Sequence, residues 1–482
     1  MRNLRLPAVI ALMLISLPLC ARPTQPLVIE GVREAKDCAY NWTSFHYVPF
    51  EVPDGVTRLT IERQMTTEPS GNVGLATYVF DPRGAGFVYN GFRGAREFGS
   101  DPIVITADKA TTTLRFYPGR IQPGRWQIAL HFRWKGKDVQ RVRYKYTITF
   151  SFDGPKADAM PRISYDPVIN AQPGWYAVDF HSHTIHSDGA GTLDEVAAFH
   201  AAAGYDAFNN TDHNTMTAQL DFPEVGAKHP SMLLLAGEEV STFNGHANVI
   251  GAEPADWYDP RMVPGDGRLP MLLEKVHKDG ALFSINHPFA GKLGWAFPPE
   301  EWEQVDAIEI LNGGWFGADD RQAADLWDSL LKSGRHITGV GGSDTHAKTA
   351  DLKVLTWVWA ENLSREAIVD GVRNGRAFIS YQKRGPLPYI SVPGTSALPG
   401  DAVRIGKRES VPVQIRVVGG KGMTLRLIWQ DGETKMPLER VFSRIEYDVP
   451  VGPKLKRSYV RLEVQRADGV VFALTNPIWF ER

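Results

Sequence analysis

Cysteine is nearly absent from this chain of 482 residues, which has only Cys20 and Cys38. A disulfide framework cannot hold a chain of that length, so each folded unit must rely on its own apolar core. A surplus of one charge sign is missing too. The 53 Lys+Arg and 55 Asp+Glu leave a formal charge of -2, which gives no electrostatic footprint for a nucleic-acid partner. The one locally basic stretch, residues 131–145 (HFRWKGKDVQRVRYK), reads as a hairpin with a solvated cationic face. No apolar run is long enough to span a bilayer, and neither internal repeats nor low-complexity tracts occur.

The longest apolar run, residues 6–19, follows Arg2 and Arg5 and precedes Ala21. At roughly 14 residues it is too short for a membrane span, and it reads as a signal peptide over residues 1–21. The mature chain is therefore expected to be exported, periplasmic or secreted, without a membrane span. Cys20 offers a lipid anchor as the lesser reading, because Leu17-Pro18-Leu19 lacks the small residue that precedes a lipidated cysteine. Cys38 then stands alone and reads as a small buried apolar residue.

What is present is ordinary globular composition, 43% hydrophobic and 22% charged, in a chain long enough for two to four domains. Residues 27–152 read as strands and turns only. Runs such as TRLTIERQM, TTTLRFYP and YKYTITFSF alternate apolar and polar residues between Asp-Gly and Pro-Gly turns, the pattern of a β-sandwich. A Pro- and Asp-rich linker, 153–173, closes this unit. In residues 174–384 short apolar runs (YAVDFH, YDAFNN, MLLLAG, ALFSIN, AIEIL, HITGVGG) alternate with amphipathic helices. Buried parallel strands look like this, and the expectation is a distorted or incomplete (β/α) barrel. Residues 385–482 return to β character and read as a small Ig-like sandwich. The fold class expected is thus multidomain, with a central distorted (β/α)7-type barrel between two β-sandwich domains.

The predicted barrel strands end in metal-ligand residue types. His181 and His183, two apart, project from one face of a strand, where paired imidazoles make a poor core and half a metal site. Asp188 lies in the following turn, His213 closes the second strand and Glu239 follows MLLLAG. His246 is expected in a turn, His287 ends ALFSIN, and Asp344 and His346 end HITGVGGSDTH. The C-terminal ends of barrel strands share one mouth. Six histidines and three carboxylates exceed the four or five ligands of one ion. Two or three divalent ions (Zn, Mn or Fe) are implied, with at least one bridging carboxylate. Glu238 reads as structural, and Asp212 and Asn286 as groups that orient their neighbours. His186 reads either as packing or as a catalytic proton donor to substrate. His46, His131, His200, His229, His277 and His336 read as structural.

The motifs DFHSHTIHSDG, TDHN, GEEVST, GHAN, NHP and GGSDTH together resemble the PHP (polymerase and histidinol phosphatase) family of metallohydrolases, across the central 210 or so residues. GEEVST followed by GHAN, with flanking β domains, resembles the carbaryl-hydrolase-like branch. The resemblance implies a distorted barrel of seven units and three metal positions. His181, His183, Glu239 and Asp344 would hold the first. Glu239 would bridge to a second with His246 and His287, and Asp188, His213 and His346 would hold a third.

The expected partner is a small-molecule substrate, with no nucleic acid. The expected activity is hydrolysis of an ester-type bond, a phosphoester ahead of an aryl carbamate or carboxyl ester. Trp295, Phe297, Trp315 and Phe316 are candidates for an aromatic pocket, and Lys292, Arg321, Lys348 and Arg376 for a phosphate clamp. A second class of function is an exported binding protein whose metal site is structural. Such a site would be closed, with no more than four ligands per ion.

Overall fold

The computed structural model describes residues 25–34, 45–71, 73–88, 91–96, 99–134, 139–157, 159–160, 162–254, 256–313, 318–347, 352–452 and 455–482. The signal-peptide segment 1–21, Cys20, Cys38, Trp315, Phe316 and Lys348 lie outside the described residues. No helix among the described residues is long and apolar enough to cross a membrane.

Among the described residues the N-terminal part holds eight strands: β1 (Leu27–Glu34), β2 (His46–Val52), β3 (Arg58–Glu68), β4 (Val73–Phe80), β5 (Phe92–Arg96), β6 (Ile103–Thr106), β7 (Gly124–Trp134) and β8 (Arg141–Ser151). They pair antiparallel in two sheets, β1-β8-β3-β6 and β2-β7-β4-β5. Alternation along each strand sends Leu59, Ile61 and Ile148 from one sheet, and Val48, Trp126 and Ile128 from the other, into one shared core. β7 and β8 belong to different sheets, so the expected hairpin over 131–145 is instead a crossing between layers. Its basic residues also meet acidic neighbours. Arg141 pairs with Glu34 and Glu68, Arg143 with Glu68, and Lys145 with Glu30.

The central part runs β9 (Gly174–Ser182), α1 (Leu193–Ala203), β10 (Ala207–Asn210), α2 (Phe222–Lys228), β11 (Leu233–Thr242), β12 (Gly245–Ala252), α3 (Arg268–Lys278), β13 (Leu282–Ile285), β14 (Ala307–Asn312), α4 (Ala318–Lys332), β15 (Thr338–Gly342), β16 (Leu355–Ala360), α5 (Arg365–Arg373) and β17 (Ala377–Ser380). The sheet order is β15-β14-β13-β12-β11-β10-β9-β16-β17. Both strand faces are buried, which explains the continuous apolar runs. Ala177, Phe208, Leu234, Phe283 and Ile308 share a core with apolar residues of α1, α3 and α4. Their sequence neighbours Val178, Ala207, Leu233, Leu282 and Ala307 enter a second cluster with Ile368 and Val372 of α5. Thr192 and Glu195 form a capping box at α1, and Gly204 ends that helix in the left-handed conformation.

Among the described residues no α-helix separates β11 from β12, β13 from β14 or β15 from β16. β11 and β12 form an antiparallel hairpin through Thr242 and Gly245. His246 accordingly lies on strand β12, not in a turn as expected. The sheet curls until the chain leaving its edge strand β15 meets β9: the His183 amide donates to the Thr345 carbonyl at 3.1 Å, and the Asp344 amide to that of His181 at 2.9 Å. Gly342 permits this approach, since a Cβ there would come within 2.5 Å of the His181 Cβ.

The C-terminal strands are β18 (Leu387–Ser391), β19 (Ala402–Arg404), β20 (Ser410–Val418), β21 (Thr424–Trp429), β22 (Gly432–Pro437), β23 (Phe442–Pro450), β24 (Arg457–Gln465), β25 (Val471–Thr475) and β26 (Ile478–Glu481). One layer is β18-β20-β23. The other, β25-β24-β21-β22, continues the central sheet, because β25 pairs antiparallel with β17.

Buried charge ties the C-terminal layer to α4. Glu463 accepts hydrogen bonds from Arg461 at 2.7 Å and from Arg321 and Arg426 at 2.9 Å each. Arg461 and Tyr459 both donate to Asp328. Arg321, a candidate phosphate clamp in the sequence, is therefore spent on this network. Burial alone would raise the Glu463 pKa, but the three guanidiniums outweigh it and hold the carboxyl far below the usual range. Glu463→Gln, which removes one partner of a buried charged set, is expected to cost about 3–5 kcal/mol. A depressed folded-state pKa gives stability that is fully present above the unfolded value near pH 4.3 and is lost as pH falls below it. Thermal melts from pH 7 to pH 3 should show the gap between wild type and Glu463→Gln closing in acid; a constant gap contradicts the assignment.

Candidate metal centre

The nine residues singled out by sequence converge at one end of the curled sheet. His181 is on β9, with His183 just past its end and Asp188 in the following turn. His213 follows β10, Glu239 is within β11, and His246 is on β12, in register with Ser241. His287 follows β13, and Asp344 and His346 follow β15. Convergence requires unusual backbone. His287 and Asp344 have φ of +24° and +51°, and Asn214, beside His213, has +52°. Non-glycine residues hold such angles only where their surroundings enforce them.

The Glu239 carboxylate is at the centre. Its Oε1 lies 3.1 Å from His246 Nδ1, 3.3 Å from His287 Nε2 and 3.4 Å from His181 Nε2. Its Oε2 lies 2.7 Å from His213 Nδ1 and 3.6 Å from His183 Nε2. Asp344 Oδ1 is 3.3 Å from both His181 Nε2 and His183 Nε2, and 3.6 Å from His346 Nδ1. Asp188 Oδ1 is 3.2 Å from His346 Nε2 and 3.5 Å from His213 Nε2. Two ligands bonded at ~2.0–2.1 Å to one tetrahedral ion are held about 3.3 Å apart, and most of these separations fall near that value. His181 Nε2 and His183 Nε2 are moreover buried without a hydrogen-bond partner, as lone pairs reserved for a cation would be.

Four donor groups form, each with its atoms within 4.8 Å of one another. They are His183-Asp188-His213-His346, His181-Glu239-His287, His181-His183-Asp344 and His213-Glu239-His246. The overlaps make Glu239, His181, His183 and His213 shared members. The residues therefore fit a cluster of divalent ions better than one isolated ion. Burial would raise the Glu239 pKa, yet His213, His246 and His181 together hold it well below the usual carboxylate range. Burial also pulls His183 down to about 4, which leaves its imidazole neutral and fit to ligate.

A second layer fixes the ligands. Glu309 on β14 sits 3.1 Å from His181 Nδ1, so that nitrogen carries the proton and Nε2 faces the centre. Glu309 also accepts from the His287 amide and from Asn312. Asp212 accepts from Thr184 and Ser187, and Asn286 donates to Glu239 at 3.1 Å. Asp179 takes His200 Nε2 at 2.9 Å and the Ser343 hydroxyl at 2.5 Å, pinning β9 to the segment that carries Asp344. Glu309 and Asp179 went unnoticed in the sequence reading. Each is a lone acid inside an apolar strand run, and that was the available signal.

The other candidates belong to none of these four donor groups. His186 Nδ1 is 2.9 Å from Thr217 Oγ1, and burial lowers its pKa. Trp295 and Phe297 are buried and stack at 4.6 Å under the β11–β12 hairpin, so they line no open pocket. Arg376 is held by Asp401, while Lys292 is in the exposed short helix after His287. Glu238 is buried, accepts from the Tyr258 amide, and is pushed well up by burial.

No family model and no curated protein matches the chain. Among solved structures, a two-domain protein from Bacteroides vulgatus containing a predicted PHP-like metal-dependent phosphoesterase overlaps 66% of this chain and 99% of its own, at 18% identity and a TM-score of 0.39. PsfC from Pseudomonas syringae overlaps 44% of this chain and 93% of its own, at 15% identity and a TM-score of 0.34. An amidohydrolase from Chromobacterium violaceum overlaps 36% and 89%, at 18% and 0.28. These overlaps are loose.

Loss of an outer-layer partner of a metal-bound histidine typically costs 10–100-fold in metal affinity. Glu309→Gln should therefore keep the fold and weaken Mn²⁺ or Zn²⁺ binding by about that factor. Calorimetric titration of the metal-free protein checks this, and unchanged affinity would remove Glu309 from the centre.

Proposed function

We propose that this chain is a PHP-type metal-dependent hydrolase that cleaves an ester-type bond, with a phosphoester as the leading substrate class. One observation carries the reading: nine ligand residues, all but the exposed Asp188 buried or half-buried, meet at one end of a curled sheet, at the separations that shared ions impose. The seven strands β9–β15 are read as the distorted barrel of that family. Divalent ions in such a site polarise the scissile group and supply a nucleophile from water at neutral pH. His181, His183, Glu239 and Asp344 are assigned to one position, Glu239 with His246 and His287 to a second, and Asp188, His213 and His346 to a third.

The protein's own part is preorganisation. Glu309 fixes the tautomer of His181, Asn286 orients Glu239, and Ser187 reaches from Asp212 toward His183 Nδ1 at 3.4 Å. His186 is proposed as the group that hydrogen-bonds the leaving oxygen. When Thr217 donates to its Nδ1, the other ring nitrogen carries the proton.

A carbamate or carboxyl ester is the second reading, and one feature favours it. Phe243, at the tip of the β11–β12 hairpin between Glu239 and His246, is 41% exposed. An apolar ring there suits an aryl leaving group. The binding-protein reading is weaker, since a closed structural site needs no shared ligands. Export is proposed on the N-terminal sequence, and the partner is proposed to be a small molecule.

Initial rates with Mn²⁺ or Zn²⁺ test this on bis-aryl phosphate, aryl phosphate, aryl methylcarbamate and aryl acetate. Metal-dependent turnover of the phosphates is expected, and Asp344→Asn should reduce it by at least about a hundredfold, beyond the loss of an outer partner. Turnover confined to carbamate or acetate moves the assignment to the second reading. No metal-dependent turnover on any substrate, with the chain folded, overturns both.

A further inference from the structure

Two candidate phosphate clamps of the central part, Arg321 and Arg376, are committed elsewhere, yet one cation from outside it bonds the backbone of a centre residue. Arg115 belongs to the N-terminal unit, on the connection between β6 and β7. It occupies the third position of a turn closed by the Phe116 amide on the Thr113 carbonyl at 3.0 Å, and its φ is +72°. Glycine or asparagine satisfies that position without strain. The turn is also packed tightly, since a Cβ on Gly94 would lie 2.3 Å from the Arg115 carbonyl oxygen. An arginine kept in a strained, crowded turn points to a use for its side chain.

That side chain crosses to the backbone of His213. Arg115 donates from Nη2 to the backbone carbonyl of His213 at 3.2 Å, while its Nε is buried with no hydrogen-bond partner. A guanidinium has several N–H donors in a rigid fork, suited to phosphate or carboxylate oxygens. The neighbouring cation cannot serve in its place, since Lys109 is paired with Asp221 and Glu224. The approach is also held firmly. The Tyr117 hydroxyl donates to the Asp256 carbonyl at 2.9 Å, and Trp257 Nε1 donates to the Asn214 carbonyl at 3.2 Å.

We propose that Arg115 is a substrate-binding residue lent by the N-terminal unit, which clamps an anionic oxygen of the substrate beside His213. This rests on the metallohydrolase reading and makes the N-terminal unit part of the site. It also predicts selectivity for substrates that carry negative charge, since a neutral ester offers nothing for the fork to bind.

Binding of inorganic phosphate to the full-length metal-loaded protein, by calorimetry, tests the proposal separately from catalysis. Arg115→Gln is expected to weaken phosphate binding about tenfold or more, the scale of a lost charge-assisted contact. Arg115→Lys, which keeps the charge without the fork, is expected to fall between. In rate measurements, KM for bis-aryl phosphate should rise in both variants while that for aryl acetate stays put. Phosphate affinity unchanged in both variants, or absent in the wild type, overturns the proposal and leaves Arg115 a strut between units. Weakened phosphate binding in a protein without metal-dependent turnover would sink the hydrolase reading and leave the anion site standing. If the glutamine variant does not fold, the lysine variant alone decides.

Discussion

Everything near the centre follows from the cost of gathering many ionisable side chains where little water reaches them. Five imidazole nitrogens lie within 3.6 Å of the Glu239 carboxylate. Neutral imidazoles so placed are short of donors and acceptors, and protonated ones repel each other. Burial keeps His183 neutral while Glu239 and Asp344 stay ionised. The resulting concentration of lone pairs and negative charge suits a divalent cation. The strained backbone at His287 and Asp344, and the glycine at 342, are the local concessions that permit it.

The surrounding units act as braces. Arg261, on the long connection between β12 and α3, hydrogen-bonds Tyr47 and the carbonyls of Ala85 and Gly86 while paired with Asp259. It also lies over the Phe80 ring at 4.6 Å. Two residues before Asp259, Trp257 stacks on Phe92 at 3.7 Å. One connection thus carries both the docking residues for the N-terminal sheets and Trp257, which touches the chain at Asn214. On the opposite side, Arg461 and Glu463 bind α4.

Much of this was legible in the sequence, and the reasons are physical. Period-two alternation and Pro-Gly or Asp-Gly turns mark half-buried strands, and continuous apolar runs mark strands buried on both faces. Histidines two apart at a strand end announce themselves because imidazole pairs have no use in a core. What escaped was pairing between distant segments. Residues 131–145 look like a hairpin locally, but β7 and β8 join different layers. His246 looks like a turn residue because the β11–β12 hairpin replaces a helix. Arg321 and Trp295 looked available because their partners, Glu463 and Phe297 with its hairpin cover, are set by tertiary packing. Arg115 had no signal at all: an isolated arginine shows nothing of the turn angle that presents it.

The pairing of β17 with β25 has a consequence for anyone dividing this chain. Composition changes near residue 385, which invites a cut there. Such a cut would strip β17 of its outer neighbour along Phe378, Ile379 and Ser380 and leave an apolar strand with unpaired amides and carbonyls at the margin of the sheet. Margins of that kind recruit other chains. The isolated central segment would be a seed for self-association, and the C-terminal layer is best regarded as the sheet's hem, without which the fabric frays.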